Sequence, residues 1–484
     1  FLSSEPNWFD RDRFILSAGH GSMLLYSVLY LAGYPDITLE DIKNFRQLNS
    51  KTAGHPEYGH IPGIETTTGP LGQGLGNAVG MAIAEEFIGT RWGSNLCDHY
   101  TYVIAGDGCL MEGISQEVIS LAGKLKLKKL IVIWDDNGIT IDGGVNLSCN
   151  TDQISRFKSS GWSTFSCDAH NPIEIDQAIN NAKEDSRPSL IAAKSIIGFG
   201  STEKQGTSGA HGAPLGKNEV EQLRKNFDWQ YKEFEIPSDI KESWVKIGQK
   251  NHKVFKDWSD RLQSLSEKKR TTFLNELDKI FPSKLTRGIK NFKKLYSEEL
   301  QTELATRKAS ELCLDLINEC FNNTIGGSAD LTGSNNTKTK TLEVFSELNR
   351  SGRYIHYGIR EHGMAAIMNG MSLHRGIIPY GGTFLTFSDY CRGAIRLSAL
   401  MGLGVIYVMT HDSIGLGEDG PTHQPVEHLA SLRSTPNLNV FRPCDIIETI
   451  ECWEIALKSK HKPSIICLSR QNLPLIRKEQ VSIN

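Results

Sequence analysis

The sequence has no Cys-x-x-Cys pair, no marked excess of charge of either sign and no apolar run long enough to cross a bilayer. Its ten cysteines are scattered without regular spacing, which argues against a zinc cage or a disulfide framework and points to a reducing, cytoplasmic home. Against 56 Asp and Glu stand 53 Lys and Arg, a net charge of −3, so binding to nucleic acid or membrane through overall charge is disfavoured. The longest apolar stretches, at 130–134 and 405–409, fall far short of the ~20 residues a membrane span requires. No G-x-x-x-x-G-K-[ST] segment occurs, and the glycine run at 69–76 lacks the G-x-G-x-x-G register and a convincing preceding strand, which leaves a nicotinamide site weakly supported. The chain opens on Phe1-Leu2-Ser3-Ser4-Glu5-Pro6, without an initiator Met, a basic segment or an apolar leader, and is expected to begin inside a longer protein.

What is present is 484 residues of ordinary globular composition, enough for about three domains. Through residues 1–200, apolar runs alternate with helical patterns, which predicts parallel β-α-β units. Strands are expected at 101–105, 130–134 and 189–195, and helices at 112–127 and 172–184, the second with Pro172 in its first turn. From 217 to 299 the texture turns charged and aromatic, with Trp229, Trp244 and Trp258 among many Lys and Glu, as amphipathic connector helices would have. Alternation then resumes, with strands expected at 377–380, 405–410, 439–441 and 464–468 and helices at 359–374 and 383–401. The fold class is α/β: two doubly wound, mainly parallel-sheet domains at 1–215 and 301–484, joined by a helical connector at 216–300.

The sharpest local motif is Gly106-Asp107-Gly108 between a strand and a helix, followed by Asp135-Asp136-Asn137-Gly138 after the next strand. Either half alone is an ordinary tight turn. In a parallel sheet both lie at the carboxyl edge, where ligands collect. There Asp107 and Asn137 would offer oxygens to one hard cation, and Gly108 would admit an anion at a helix start, a combination suited to Mg²⁺ and a diphosphate. The glycines of 69–76 read either as a closely packed helix start or as a backbone loop fitted around a ligand.

Five histidines, His20, His55, His211, His411 and His423, sit in Gly, Pro or polar loops. Singly each reads as a surface or structural histidine. Together they suggest a polar pocket that binds a hydroxylated or phosphorylated substrate and moves protons near neutral pH. They lack zinc-ligand spacing. The polar Gly/Pro-rich run at 415–425 has the composition of an active-site loop or of an ordinary solvated one, and Arg307, Arg470 and Ser334 are candidate anion contacts. Phe384, Phe387 and Tyr390 recur every third residue, as on one helical face, after Gly381-Gly382. Aromatic stripes are mostly core; here the two preceding glycines would admit a flat heteroaromatic ring. Glu361, at the start of a helix, is either a first-turn acid favoured by the helix dipole or, if buried, a proton donor with a raised pKa.

These segments, with 17–26, 54–85, 211–216, 327–335 and 354–364, resemble the transketolase family, and the similarity runs from Asp12 to Asn472. The resemblance implies thiamine diphosphate bound through a divalent cation, usually Mg²⁺ or Ca²⁺, on Asp107, Asn137 and the carbonyl of Ile139. Gly108 would contact the diphosphate, Gly69, Pro70 and Leu71 would lie beside the cofactor, and Phe384, Phe387 and Tyr390 would line the aminopyrimidine pocket. Glu361 would hydrogen-bond that ring. Glu361, His423, His211, His20 and His55 are then the catalytic candidates, with His20 and His211 also against the cofactor. His55, His211, Arg307, Ser334, His411, Asp419, His423 and Arg470 would bind the sugar phosphate.

The implied reaction moves a two-carbon ketol unit from a ketose phosphate to an aldose phosphate by way of a carbanion and enamine on the cofactor, as in the pentose phosphate pathway. The resemblance further implies a homodimer with each cofactor between the first domain of one chain and the second domain of its partner, where Glu112 would meet its symmetry mate. The family's upstream histidine-bearing segment and its third, C-terminal domain are expected to be missing from these residues. A related thiamine-diphosphate synthase and a truncated, non-catalytic dimeric scaffold are the alternatives. The full set of sugar-phosphate residues weighs against the first, and retention of Glu361, Asp107 and Asn137 against the second.

Overall fold

The computed structural model describes residues 1–299 and 303–477, which form two compact units, 1–82 with 94–264 and 83–93 with 265 onward. The end of the expected connector at residue 300, the start of the expected second domain at 301 and its last seven residues lie outside the described residues.

In the first unit β1 (Arg13–Leu16), β2 (Thr101–Gly106), β3 (Leu130–Asp136), β4 (Ser163–Asp168) and β5 (Ser189–Lys194) form one sheet in the order β1-β2-β3-β5-β4. Every pairing is parallel. Continuous apolar runs suit strands covered on both faces: Leu130, Ile131, Val132, Leu190 and Ile191 are all buried. The expected helix at 172–184 is found at Pro172–Glu184, started by Pro172 and by the Asn171 side chain, which accepts from the Ile173 N–H. The helix expected at 112–127 instead begins as a short turn of helix, Asp107–Met111, breaks at Glu112 and resumes as Gly113–Leu125. The break comes from the extended ψ of Glu112, 141°, and the second helix ends on Lys126 in the left-handed region.

The second unit holds β6 (Leu304–Ala305), β7 (Thr324–Ser328), β8 (Tyr354–His356), β9 (Ile378–Phe384), β10 (Ile406–Thr410), β11 (Asn439–Phe441), β12 (Ser464–Leu468) and β13 (Asn472–Leu473). Six of them make a parallel sheet in the order β11-β12-β10-β9-β7-β8, and β6 pairs antiparallel with β13. Tyr380, Val408, Ile466, Trp453 and Phe321 share its core. The expected helix at 383–401 starts only at Ser388, because β9 runs on through Phe384 while Phe384 pairs with Thr410 of β10. Phe384, Phe387 and Tyr390 are therefore not one helical face: they occupy a strand end, a turn and a first helical turn. A spacing of three cannot by itself distinguish a helix from a strand-turn-helix corner.

Helices also run through 217–299. Lys217–Asn226, Ser238–Gln249 and His252–Ser264 belong to the first unit, and Glu267–Leu277 and Ser283–Glu299 to the second. Among the described residues no helix is long and apolar enough to cross a membrane.

Candidate active site

In the first unit β2 delivers Asp107 to the carboxyl edge of the sheet, and the adjacent β3 delivers Asn137. Asp107 is buried; its Oδ1 accepts from the Trp134 indole at 3.1 Å, while its Oδ2 is buried without a hydrogen-bond partner. Burial, reinforced by the nearby charges of Asp136 and Asp135, pushes its carboxyl up to about 6, with Trp134 and the Gly138 N–H acting the other way. The Asn137 turn is closed by Oδ1 accepting from the Ile139 N–H at 2.9 Å and Nδ2 donating to Asp135 at 3.0 Å. Gly138 takes the positive φ, +69°, that this turn needs.

The other first-unit candidates gather at the same edge. A Cβ on Gly108 would stand 2.9 Å from the Leu71 side chain, which puts the Gly69-Pro70-Leu71 loop beside the Gly-Asp-Gly turn. A Cβ on Gly69 would lie 3.0 Å from the His55 ring, and one on Gly19 only 2.6 Å from the Gly69 nitrogen, bringing His20 and His55 to that loop. The His20 and His211 rings stack at 4.9 Å. Burial first, then the neighbouring His211 and His55, lowers the His20 pKa, so its imidazole is neutral at physiological pH. The Nδ1 of His211 is buried without a partner. Glu112, at the helix break, is exposed.

In the second unit Glu361 opens the helix Glu361–His374 and is buried, 7% exposed. Thr383 Oγ1 donates to its Oε1 across a long 3.5 Å, and burial raises its pKa. Phe384 and Phe387 stack at 5.5 Å, and Tyr390, 65% exposed, lies 5.7 Å from Phe387. The His411 ring stacks on Phe384 at 3.8 Å, and His423 meets Phe387 edge-on at 5.2 Å. Arg307 Nη1 donates to the Ser334 carbonyl at 3.0 Å; Arg470 donates to the Leu416 carbonyl at 3.1 Å and pairs with Glu418. His411 feels Arg307, Arg470, Asp419 and His423 together. Burial and both guanidiniums push it down to about 4, against the opposing pull of Asp419.

Each unit thus brings its own candidates into one neighbourhood. Sequence reasoning missed the residues that hold them. Trp134 reads as one more apolar strand residue, and Asn335 and Thr383 lie unremarked beside Ser334 and Phe384. Only the indole contact to Asp107 and the amide contacts across the strand ends reveal their use.

Residues 2–285 match the family described as "Transketolase, thiamine diphosphate binding domain", and residues 302–476 match "Transketolase, pyrimidine binding domain". The chain belongs to the transketolase family. It is 56% identical over 484 residues to the transketolase of Rhodobacter capsulatus, covering all of this chain and 72% of that relative. It is 55% identical over 481 residues to that of Sinorhizobium medicae, covering 99% of this chain and 69% of the relative. Among solved structures, transketolase from Leishmania mexicana superposes with a TM-score of 0.94 at 43% identity, over 100% of this chain and 72% of that one. The complex of Pichia stipitis transketolase with sedoheptulose 7-phosphate gives the same TM-score and identity, over 100% and 73%. As a member of this family the chain is a transferase that moves ketol units and binds thiamine diphosphate.

Proposed function

We propose that this transferase moves a two-carbon ketol unit from a ketose phosphate to an aldose phosphate, using thiamine diphosphate held by Mg²⁺ or another divalent cation. The observation that carries the reading is the buried, unpartnered Oδ2 of Asp107 beside the Asn137 turn. A buried carboxylate oxygen without a donor is costly unless a cation completes it. Asp107, Asn137 and the Ile139 carbonyl are the donors suited to that cation, and Gly108 leaves backbone free for the diphosphate. Gly69, Pro70 and Leu71 flank it, while Phe384, Phe387 and Tyr390 offer an aromatic wall for the aminopyrimidine. When bound, thiamine diphosphate supplies the carbon nucleophile and electron sink that the chain's own side chains lack.

The protein's part is binding and proton placement. Glu361, buried at the helix start with burial raising its pKa, offers its carboxyl to a ring nitrogen. Neutral His20, stacked on His211, exchanges protons with substrate hydroxyls, with His55 and His423 as the further proton-handling groups. Arg307 and Arg470 grip the distal phosphate with His411 and Ser334, and Asp419 accepts from a sugar hydroxyl. Xylulose 5-phosphate and ribose 5-phosphate are the substrate class, as in the pentose phosphate pathway. In support, solved structures of the Pichia stipitis relative hold sedoheptulose 7-phosphate, fructose 6-phosphate and xylulose 5-phosphate.

The proposed assembly is a cytoplasmic homodimer with active sites at the subunit interface, residues 1–215 serving the diphosphate and 301–484 the aminopyrimidine. Exposed apolar side chains near the candidates support a covered face: Ile359 is 78% exposed and Val426 79%. All ten cysteines are free, in keeping with a reducing compartment. The test is a coupled assay with xylulose 5-phosphate, ribose 5-phosphate, thiamine diphosphate and Mg²⁺. Sedoheptulose 7-phosphate is the expected product, and its absence would overturn the reading.

A further inference from the structure

We propose that Asn335 and Thr410 are positioning residues that hold His411 in one neutral tautomer, its proton on Nε2, making the ring a fixed hydrogen-bond donor toward the substrate phosphate. The inference deepens the reading of His411 as a phosphate contact and rests on it.

Asn335 ends the short helix Thr332–Asn335 over the carboxyl ends of β7, β9 and β10, which are neighbours in the sheet. Its Nδ2 donates to the Thr383 carbonyl at 3.2 Å and to Thr410 Oγ1 at 2.7 Å, and its Oδ1 accepts from the Ser328 hydroxyl at 2.8 Å. A carbonyl only accepts, so the amide has one permissible orientation; flipping it would set oxygen against oxygen. Thr410 Oγ1 therefore accepts a hydrogen bond from Asn335 and has its own hydrogen left to donate. The acceptor in reach is His411 Nδ1, at 2.9 Å. An Nδ1 that accepts carries no proton, so the neutral ring carries it on Nε2.

Water cannot substitute along this chain, because Ser328, Asn335 and Thr410 are fully buried and His411 is 2% exposed. The ring is also held mechanically. It stacks on Phe384, and the His411 backbone sits in the left-handed region at φ 61°, a conformation that surrounding contacts must maintain in a non-glycine residue. A phosphate dianion only accepts hydrogen bonds. The Nε2–H tautomer attracts it, whereas the Nδ1–H tautomer would present a lone pair and repel it. The consequence falls on binding of the phosphorylated substrate and not on the chemistry at the ketol carbon.

The test uses the cofactor-loaded, Mg²⁺-containing protein labelled with ¹⁵N-histidine, the His411 signals being assigned by their loss in His411→Ala. The wild type is expected to show the Nε2–H pattern and Thr410→Val to lose it. Thr410→Val should raise KM for a ketose phosphate tenfold or more, with kcat within twofold and KM for the same ketose without its phosphate unchanged. Thr410→Ser, which keeps the hydroxyl, should restore the wild-type KM and spectrum. A wild-type Nδ1–H pattern overturns the proposal even if the valine variant fails to fold. A valine variant matching wild type, or one that weakens both substrates equally, also overturns it. If His411→Ala leaves the preference for phosphorylated over unphosphorylated ketose untouched, the phosphate reading fails and takes the donor role with it. The spectrum then still reports separately whether Asn335 and Thr410 set the tautomer.

Discussion

Trp134 holds Asp107 by one oxygen only: the indole Nε1 donates to Oδ1 at 3.1 Å, and Oδ2 is left buried and bare. The indole fixes the carboxylate's direction while reserving half of it for a cation. Replacing Asp107 with Asn removes the charge but keeps the shape. Wild-type protein with Mg²⁺ and thiamine diphosphate at about a hundred times their dissociation constants should gain about 2.7 kcal/mol, several degrees in melting temperature. Asp107→Asn should show almost none of that shift while the ligand-free protein melts no lower than wild type. An undiminished shift in the variant would remove Asp107 from the cation site.

The pH dependence follows from the same carboxyl. Its folded pKa, about 6, lies above the usual 3.8, so the ligand-free folded state binds the proton more tightly than the unfolded chain. Stability from this group is complete below the unfolded value and is lost as pH rises toward 6, by about 2–3 kcal/mol in all. A divalent cation competes for the ionised form. Its apparent affinity should therefore fall about tenfold per pH unit below 6 and level off above it. Calorimetric titration of the wild type with Mg²⁺ from pH 5 to 8 measures this, and an affinity that does not change across pH 6 would remove Asp107 from the cation site.

Glu361→Gln preserves size and removes the exchangeable carboxyl proton. Steady-state kinetics should show kcat lowered by about 10²–10⁴ with KM for the ketose phosphate within a fewfold, the magnitude of a lost general acid. A full-rate variant would deny Glu361 that role.

Arg307 is anchored on the Ser334 carbonyl and Arg470 on the Leu416 carbonyl, so both guanidiniums are held in place before any substrate arrives. Arg307→Gln should cost about 1.5–3 kcal/mol of phosphate binding, a ten- to hundredfold rise in KM for phosphorylated substrates. The same ketose without phosphate should be little affected. Equal losses on both would place Arg307 away from the phosphate.

Gly123 lies inside the helix Gly113–Leu125, where alanine ordinarily stabilises by up to about 1 kcal/mol. Here a Cβ would collide with the backbone carbonyl of Ser160, and Trp162 closes the other side. Gly123→Ala should therefore destabilise the protein by about 1–3 kcal/mol in urea unfolding. A stabilised variant would show that the 160–162 turn yields.

Much of the architecture was legible because parallel strands covered on both faces are written as unbroken apolar runs. Those at 130–134 and 405–409 lie where the structure has strands. The corner at Phe384 was misread because a spacing of three residues is shared by a helix and by a strand that turns into one. The break at Glu112 was missed for a related reason: a single Gly113 marks it, as often found inside helices, and it shows only in one extended ψ.

The sequence by itself determined which chemistry is possible: the Gly-Asp-Gly and Asn-Gly turns, the loop histidines and the helix-opening Glu361 stand in the chain whatever its fold. Tertiary structure alone decided how those groups are armed. The empty oxygen of Asp107, the neutral ring of His20 and the proton position on His411 depend on burial and on partners 27 to 191 residues away in the chain, Trp134 and His211 for the first two and Asn335 for the third. Hydrogen-bond direction and desolvation are properties of three-dimensional neighbours, and neither is carried by residue order.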